Sequence, residues 1–205
     1  LRNQIKKGTV SQSYLFAGTR GTGKTTTARI LAKAVNCTCS EPGVDLPCGE
    51  CANCRAITEG RFLDVVELDA ASNNGVESLR QITESVQYPP TVGKYKVYII
   101  DEAHMLTDSA ENAFLKTLEE PPAHVIFILA TTNPEKIKAT IKSRCLTLNF
   151  RHVSENDLLE GMKRICQKKD ISIEEDALAV IARKADGSVR DALSLLEQCI
   201  NAGDE

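Results

Sequence analysis

Residues 18–25 read Gly-Thr-Arg-Gly-Thr-Gly-Lys-Thr, which matches the phosphate-binding pattern G-x-x-x-x-G-K-[ST]. The pattern stands between an apolar run, Tyr14–Ala17, that predicts a β-strand and a run that predicts a helix from about Thr25. Its glycines let the backbone curl so that successive N–H groups, and the positive end of the helix, point at a phosphate. The chain is therefore predicted to have an α/β fold built around a P-loop.

The loop also supplies the side chains that a bound nucleoside triphosphate needs. Lys24 is expected to place a positive charge at the β and γ oxygens, and the Thr25 hydroxyl is placed to bind Mg²⁺. The candidate nucleotide-binding residues of this loop are Gly18, Thr19, Arg20, Gly21, Thr22, Gly23, Lys24, Thr25 and Thr26.

An acidic pair follows a second predicted strand. Asp101 and Glu102 come directly after Lys96–Ile100, a continuous apolar run typical of buried parallel strands. An isolated Asp-Glu pair is more often a solvated strand end, but a P-loop upstream favours a functional interpretation. Asp101 is expected to hold Mg²⁺ through water, and Glu102 to orient and deprotonate the attacking water. His104 completes the letters of a helicase motif, D-E-A-H, yet such helicases need two motor domains. It is predicted to begin the next helix rather than touch nucleotide.

Two further polar positions follow predicted elements of the core. The apolar run Val125–Ala130 leads to Thr132 at the same sheet edge, where a hydroxyl can hydrogen-bond a γ-phosphate or the attacking water. Arg144 follows a predicted helix at Ile137–Lys142 and precedes a predicted strand, Leu146–Phe150. It is expected to lie too far round the sheet to reach its own P-loop easily.

Five of the eight cysteines lie between Cys37 and Cys54. The spacing C-x2-C-x2-C of Cys48, Cys51 and Cys54 suits a tetrahedral metal ion, with either Cys37 or Cys39 as the fourth ligand. Structural zinc is the favoured interpretation, and an iron–sulfur cluster or a redox pair are the alternatives. A disulfide fits poorly with this spacing and with a reducing compartment. The remaining cysteines are predicted to be small buried apolar residues: Cys145, Cys166 and Cys199.

After Arg151 the pattern predicts helices only. A first helix is expected after the cap Ser154, a second from the capping box Ser172–Glu175, and a third from about Val189 to Ile200. Arg190 falls in the first turn of the third helix, and the P-loop upstream makes it a candidate nucleotide contact. Residues 1–150 are thus predicted to form a nucleotide-binding core with a cysteine module at about 37–54, and residues 151–205 a small helical domain.

Composition excludes several classes of protein. The chain has 205 residues, of which 42% are hydrophobic and 26% charged, as in ordinary globular proteins. A formal charge of −3 argues against a general nucleic-acid coat, so any DNA contact must be local or shared with partners. No apolar run is long enough to span a bilayer and no signal peptide is present, which predicts a cytoplasmic location without membrane contact. The sequence does not begin with Met and is expected to be a fragment.

Taken in order, these motifs resemble those of one family, the AAA+ ATPase subunits of the bacterial clamp loader, the gamma/tau subunits of DNA polymerase III. The resemblance covers the whole chain. It rests on the following segments together with the cysteine module: Tyr14–Thr25, Asp69–Ser72, Ile100–Leu106, Leu115–Pro122, Leu129–Thr132, Ser143–Cys145 and Gly187–Leu195.

The resemblance implies a role for each candidate residue. Lys24 and Thr25 would be the Walker A lysine and Mg²⁺ ligand, and Asp101 and Glu102 the Walker B pair. Thr132 would be the first sensor of the γ-phosphate. Two arginines complete the set: Arg190 would be the second sensor, on a three-helix lid domain, and Arg144 would be the arginine finger that reaches the nucleotide of a neighbouring subunit.

The family's cysteine module is a structural zinc site whose first ligand usually closes the P-loop helix, which favours Cys37, although Cys39 is also available in this sequence. The N-terminal stretch that lies over the adenine ring in the family, and the collar domain that joins the subunits, are expected to be missing.

The resemblance also implies substrates, partners and a mechanism. ATP, Mg²⁺ and Zn²⁺ would be the cofactors, and the partners would be the other clamp-loader subunits, the sliding clamp and primer–template DNA. ATP binding would close the subunits into a spiral that opens the clamp, and hydrolysis would release it onto DNA. Another AAA+ motor, such as a branch-migration helicase, is the alternative, but it would not be expected to carry the cysteine module. A degenerate, non-hydrolysing relative would have lost the phosphate loop.

Overall fold

A computed structural model describes residues 1–39, 46–73 and 76–202. Contacts divide the chain into two compact units. The first contains Leu1–Ala17 and Thr25–Leu148, and the second contains Gly18–Lys24 and Asn149–Glu205.

The core is a five-stranded sheet with the strand order β2-β3-β4-β1-β5. Its strands are β1 (Ser13–Gly18), β2 (Val65–Asp69), β3 (Lys96–Asp101), β4 (Val125–Thr131) and β5 (Leu146–Phe150). Strand β3 pairs in parallel with both β2 and β4, and β4 pairs in parallel with β1. Because β3 and β4 are parallel neighbours, the chain segments that follow these two strands emerge at one edge, as the sequence predicts for parallel strands.

Six helices accompany these strands in the described residues. They are α1 (Arg2–Lys7), α2 (Lys24–Asn36), α3 (Ala52–Thr58), α4 (Val76–Ser85), α5 (Asp108–Glu119) and α6 (Ala139–Lys142), with short 3₁₀ turns at Ala103–Met105 and Pro134–Lys136. The helix predicted at Ile137–Lys142 is shorter than expected, because Ile137 is an extended residue after the second 3₁₀ turn.

Aromatic packing fixes the centre of the first unit. Every residue of β4 is buried, and the Phe127 ring stacks on Tyr98 at 5.5 Å and meets Phe114 of α5 edge-on at 4.9 Å. Such pairs add to the stabilisation that burial of the rings provides. Rigid packing here holds the carboxyl ends of β3 and β4, where the candidate catalytic residues lie.

The second unit contains three helices: α7 (Glu155–Lys169), α8 (Glu175–Lys184) and α9 (Val189–Ala202). Their core includes Leu158, Met162, Leu178, Ile181 and Leu196. The predicted cap of α7 is confirmed, because Ser154 Oγ accepts a hydrogen bond from the Asp157 N–H at 3.1 Å.

The capping box predicted at Ser172 is wrong. Helix α8 begins at Glu175 with Glu174 at the N-cap position, and no side chain caps it. Ile171 and Ile173 pack against the helical core on either side of Ser172. Their packing keeps this segment out of the helix, so burial overrides the local capping signal.

Two of the three isolated cysteines are buried or packed as predicted. Cys166 is buried in the helical core, and Cys145 packs, partly buried, against the core of the first unit. The prediction for Cys199 is wrong, since this residue is exposed. The residues of α9 that pack in the helical core include Ala192, Leu196 and Ile200, whereas Cys199 is not among them.

No helix in the three described ranges is both long enough and apolar enough to cross a membrane.

Candidate nucleotide and metal sites

The P-loop places its lysine inside the loop. Lys24 is 6% exposed, and its Nζ donates to the carbonyl oxygens of Gly18 at 2.9 Å and Thr19 at 2.7 Å. Gly21 and Gly23 have φ angles of +75° and +88°, which residues with a Cβ rarely adopt. The curled backbone that the sequence predicts is therefore present. Arg20 and Thr26, also predicted to bind nucleotide, have exposed side chains.

The start of α9 contacts this loop within the second unit. The Val189 N–H donates to the Gly21 carbonyl oxygen at 2.9 Å, and a Cβ on Gly21 would collide with Ser188 Oγ. Only glycine fits at position 21, because both its φ angle and this close approach exclude a side chain. Arg190, predicted to sense nucleotide, is exposed on the first turn of α9. The Arg190 Cβ lies 3.4 Å from the position that a Cβ on Gly21 would take, so Arg190 lies next to the P-loop.

The two residues predicted to bind Mg²⁺ contact each other. Thr25 Oγ1 donates to Asp101 Oδ2 at 2.7 Å, and the other carboxylate oxygen, Oδ1, accepts from the Glu102 N–H at 2.9 Å. Hydroxyl and carboxylate oxygens are the ligand types that Mg²⁺ prefers. The side chains present therefore fit a Mg²⁺ ion.

Glu102 has an unusual backbone and a held side chain. Its φ and ψ angles are 46° and 43°, a left-handed conformation uncommon for residues other than glycine. Glu102 Oε2 accepts from Thr132 Oγ1 at 2.9 Å and lies 3.3 Å from the Thr132 backbone nitrogen. The predicted base and the predicted sensor are thus brought together. Strained backbone at such a position is typical of functional sites.

His104 lies in a helical turn after β3, as predicted, but it does not begin the α-helix that follows. It lies in the 3₁₀ turn Ala103–Met105, whereas the next helix, α5, begins after its own cap, Thr107. Its Nδ1 lies 3.0 Å from Thr131 Oγ1 and 3.3 Å from Glu102 Oε2. Sequence reasoning missed this contact, although a histidine two positions after a candidate base was an available signal.

Arg144 is bound within its own chain. Its Nη2 forms an ion pair with Glu119 Oε1 at 2.6 Å, and its Nη1 donates to the Thr140 carbonyl oxygen at 2.7 Å. The side chain is 32% exposed. The guanidinium is therefore oriented by α5 and α6.

Four of the five clustered cysteines come together. The Sγ atoms of Cys37, Cys48, Cys51 and Cys54 all lie within 4.8 Å of one another, and Cys39 is not part of this group. Cys37 follows the last residue of α2, while Cys51 caps α3 and Cys54 is buried in its first turn. Residues 40–45 of the predicted module lie outside the described residues.

Local hydrogen bonds shape the acidity of these thiols. N–H groups of Cys51 and Glu50 lower the pKa of Cys48. Burial disfavours the Cys51 thiolate, but hydrogen bonds from Thr38 and Cys54 outweigh this and lower its pKa to about 5. Burial raises the pKa of Cys54 to about 12. Four convergent sulfur ligands at this separation fit a tetrahedral ion, with N–H···S bonds orienting the ligands.

Comparisons with known families account for both parts of the chain. A family model described as DNA polymerase III, delta subunit, matches residues 1–154. A second model, described as the ATPase lid domain of the DNA polymerase III clamp loader subunit, matches residues 158–205. The chain belongs to the clamp-loader subunit family of bacterial DNA polymerase III.

Relatives at about half identity are named as tau or gamma subunits rather than delta. The chain is 52% identical over 201 residues to DNA polymerase III subunit tau of Bacillus subtilis, covering 98% of the chain and 35% of that protein. It is 49% identical over 205 residues to the tau subunit of Escherichia coli, covering 31% of it. The chain thus spans about a third of the length of these clamp-loader relatives.

Solved structures with a similar fold include two proteins of Thermotoga maritima. The RuvB Holliday junction branch migration motor of Thermotoga maritima aligns with a TM-score of 0.64 at 22% identity, covering 95% of this chain and 56% of RuvB. A DNA polymerase III gamma subunit-related protein of the same organism aligns with a TM-score of 0.56 at 23% identity, covering 91% of this chain and 57% of that protein. At these identities the likeness establishes the fold alone.

Proposed function

We propose that this chain is the ATP-hydrolysing motor segment of a clamp-loader subunit, and that it uses ATP to load a sliding clamp onto primed DNA. The observation that carries the proposal is the arrangement of Thr25, Asp101, Glu102 and Thr132 in a chain of this family. Hydrogen bonds link each of these residues to the next at the end of β3 and β4. The fold is shared with branch-migration motors, but the relatives at half identity belong to DNA polymerase III.

Each side chain has a separate task in this proposal. Backbone N–H groups of the P-loop bind the phosphates, and Lys24 neutralises charge on the β and γ oxygens. Thr25 and Asp101 would hold a magnesium ion, which supplies charge neutralisation when bound. Glu102 orients a water molecule and accepts its proton, while Thr132 holds the Glu102 carboxylate. Arg190 senses the γ-phosphate in the same chain.

Two further elements depend on the whole assembly. Arg144 would act on the nucleotide of a neighbouring subunit, which ties hydrolysis to assembly. The partners would be other clamp-loader subunits, the sliding clamp and primer–template DNA, in the cytoplasm. The four-cysteine cluster would hold a structural zinc ion that ties Cys37, at the end of α2, to the start of α3.

The proposal is tested with the full-length subunit assembled with its partner subunits, clamp and primed DNA. Lys24→Ala should abolish ATP turnover through loss of phosphate binding. Glu102→Gln should lower kcat by about 10²- to 10⁴-fold while ATP still binds, because only the proton acceptor is lost.

Matched controls come from the same chain. Lys33→Ala removes another lysine of α2, whose Nζ contacts Thr58, and Glu84→Gln neutralises an exposed carboxylate of α4. Both should turn over ATP like the wild type. Normal turnover in Lys24→Ala or Glu102→Gln would refute the site assignment, and a wild-type complex that neither hydrolyses ATP nor loads clamps would refute the function.

A further inference from the structure

The imidazole of His104 belongs to the hydrogen-bonded cluster around the proposed base. Its Nδ1 lies 3.0 Å from Thr131 Oγ1 and 3.3 Å from Glu102 Oε2. Glu102 Oε2 is also the oxygen that accepts from the Thr132 hydroxyl, at 2.9 Å. Two neighbouring residues at the carboxyl end of β4 therefore connect to Glu102. Thr132 contacts it directly, and Thr131 contacts it through His104.

Burial makes this arrangement specific. The His104 side chain is 11% exposed, and Thr131 is fully buried at the end of β4. Thr131 Oγ1 also accepts from the Asn133 N–H at 3.0 Å, which fixes the hydroxyl that the imidazole contacts. The imidazole is thus anchored on the central part of the sheet rather than placed on a mobile surface.

The neighbouring carboxylate favours one tautomer of His104. An ionised carboxylate can only accept hydrogen bonds, so a ring nitrogen close to Glu102 Oε2 is favourable when that nitrogen carries hydrogen. In that tautomer the Nδ1–H group of His104 bonds Thr131 Oγ1 and lies beside Glu102 Oε2, at 3.3 Å. The Thr132 hydroxyl donates to the same Oε2, which leaves Oε1 as the oxygen that can accept from a water molecule.

We propose that His104 is a positioning residue for the catalytic carboxylate: its Nδ1–H, anchored on Thr131, holds Glu102 in the orientation in which it accepts a proton from water. This inference rests on the proposed ATPase function. Small displacements of a reacting group reduce rates strongly, so loss of one of two restraints on Glu102 should slow the chemical step and leave nucleotide binding unchanged.

The test compares three variants in the full-length subunit, assembled with its partner subunits, clamp and primed DNA. Asparagine places an amide nitrogen near the position of Nδ1, whereas glutamine places it near Nε2. We expect His104→Ala to lower kcat for ATP by about 10- to 100-fold with KM within about twofold. His104→Asn should keep more of the wild-type kcat than His104→Gln does.

Comparing kcat of the asparagine and glutamine variants distinguishes a positioning role of His104 from a packing role. If His104 only filled space, the longer glutamine would replace it at least as well as asparagine. His124 provides the control, because it is a partly buried histidine at the opposite end of β4, where Nε2 contacts the Val86 carbonyl oxygen at 3.0 Å. His124→Asn should leave kcat unchanged.

Three results would overturn the inference: wild-type kcat in His104→Ala, a higher kcat in that variant, or glutamine performing as well as asparagine. Glu102→Gln, measured alongside, distinguishes this failure from failure of the proposed function. If Glu102→Gln is inactive while the His104 variants behave like wild type, only the role of His104 is wrong. If Glu102→Gln is fully active, the proposed function is wrong as well.

Discussion

At the scale of single residues, two cysteines separated by one position have different environments. Cys37 lies at the end of α2, with its Sγ 3.5 Å from that of Cys48, whereas Cys39 is outside the group of four sulfur atoms. Ligand spacing alone allowed either residue, since both precede the C-x2-C-x2-C run by a short loop. Cys37 follows α2 directly, and this position places its sulfur atom in the cluster.

The zinc proposal predicts different outcomes for these cysteines. Cys37→Ser and Cys54→Ser should each lose the metal and lower the thermal midpoint of unfolding, because a three-sulfur site binds zinc weakly and metal binding is coupled to folding. Cys39→Ser is the matched control and should keep about one zinc per chain, as expected for a four-ligand structural site. Metal content by mass spectrometry and thermal unfolding provide the readouts.

Loss of zinc from Cys39→Ser, with zinc retained in Cys37→Ser, would show that the first ligand has been assigned wrongly. Iron in place of zinc in the wild-type protein would favour the iron–sulfur alternative.

At the scale of elements, one buried carboxylate holds the segment that leads into β3. Asp64 is 1% exposed and accepts hydrogen bonds from the N–H groups of Thr91, Val92 and Gly93, each at 2.7 Å. Burial by itself would raise the pKa of Asp64, but these three donors outweigh it, so the pKa lies below its ordinary value. Charge on Asp64 is therefore more favourable in the folded protein than in the unfolded chain.

This depressed pKa predicts a pH-dependent contribution to stability. The contribution is complete above the pKa of an unfolded aspartate, about 3.9, and is lost as pH falls through the lower pKa of the folded state. Asp64→Asn should lower the free energy of unfolding at pH 7 by about 1–3 kcal/mol, because an amide cannot accept all three hydrogen bonds.

The stability difference between Asp64→Asn and wild type should shrink below about pH 4 in urea titrations, since the unfolded wild-type chain takes up a proton on Asp64 there while the folded carboxylate stays ionised to a lower pH. Glu84→Gln, which removes an exposed carboxylate, should show neither effect. An Asp64→Asn deficit that grows as the pH falls would contradict this account.

Elements also show where sequence reasoning holds and where it fails. Strand β5, whose sequence alternates apolar and polar residues, has the predicted bounds. Strand β4 extends the predicted run by one residue, because a continuous apolar sequence in a parallel sheet has few alternatives. The apolar run Phe62–Leu68 also predicts a strand, but β2 begins only at Val65, and the Phe62 side chain is buried before the strand starts. Helix α8 begins later than its capping signal, because packing of Ile171 and Ile173 is decided by residues distant in sequence.

At the scale of the whole molecule, Arg144 is the candidate residue proposed to act on the nucleotide of a neighbouring subunit. Its guanidinium is paired with Glu119 and with the Thr140 carbonyl oxygen, so α5 and α6 orient it in advance. Exposed pairs of this kind contribute little stability. We therefore expect the ion pair with Glu119 to orient Arg144 in an assembly rather than to stabilise the fold.

Mixed assemblies test whether Arg144 acts in trans. In complexes that combine Arg144→Ala subunits with wild type, hydrolysis should fall by about 10³-fold at the sites that face the altered subunit, because an arginine finger stabilises charge in the transition state. To assign ATP turnover to individual subunits, the other subunits of the mixed complex carry Lys24→Ala, which makes their own sites inactive. The turnover that remains is the measurement. Arg164→Ala, in α7, is the control. Loss confined to the altered subunit's own site would contradict an action in trans.

The sequence by itself determined the α/β core, the P-loop, the acidic pair and the cysteine module, because each depends on contiguous residues whose spacing has a direct chemical meaning. Only the tertiary structure decided that Glu102 lies against Thr132 and His104, that Cys37 rather than Cys39 joins the sulfur cluster, and that Glu119 pairs with Arg144. Each of these contacts joins residues whose relation depends on strand order and helix direction. Packing across the molecule sets both, and local sequence does not specify them.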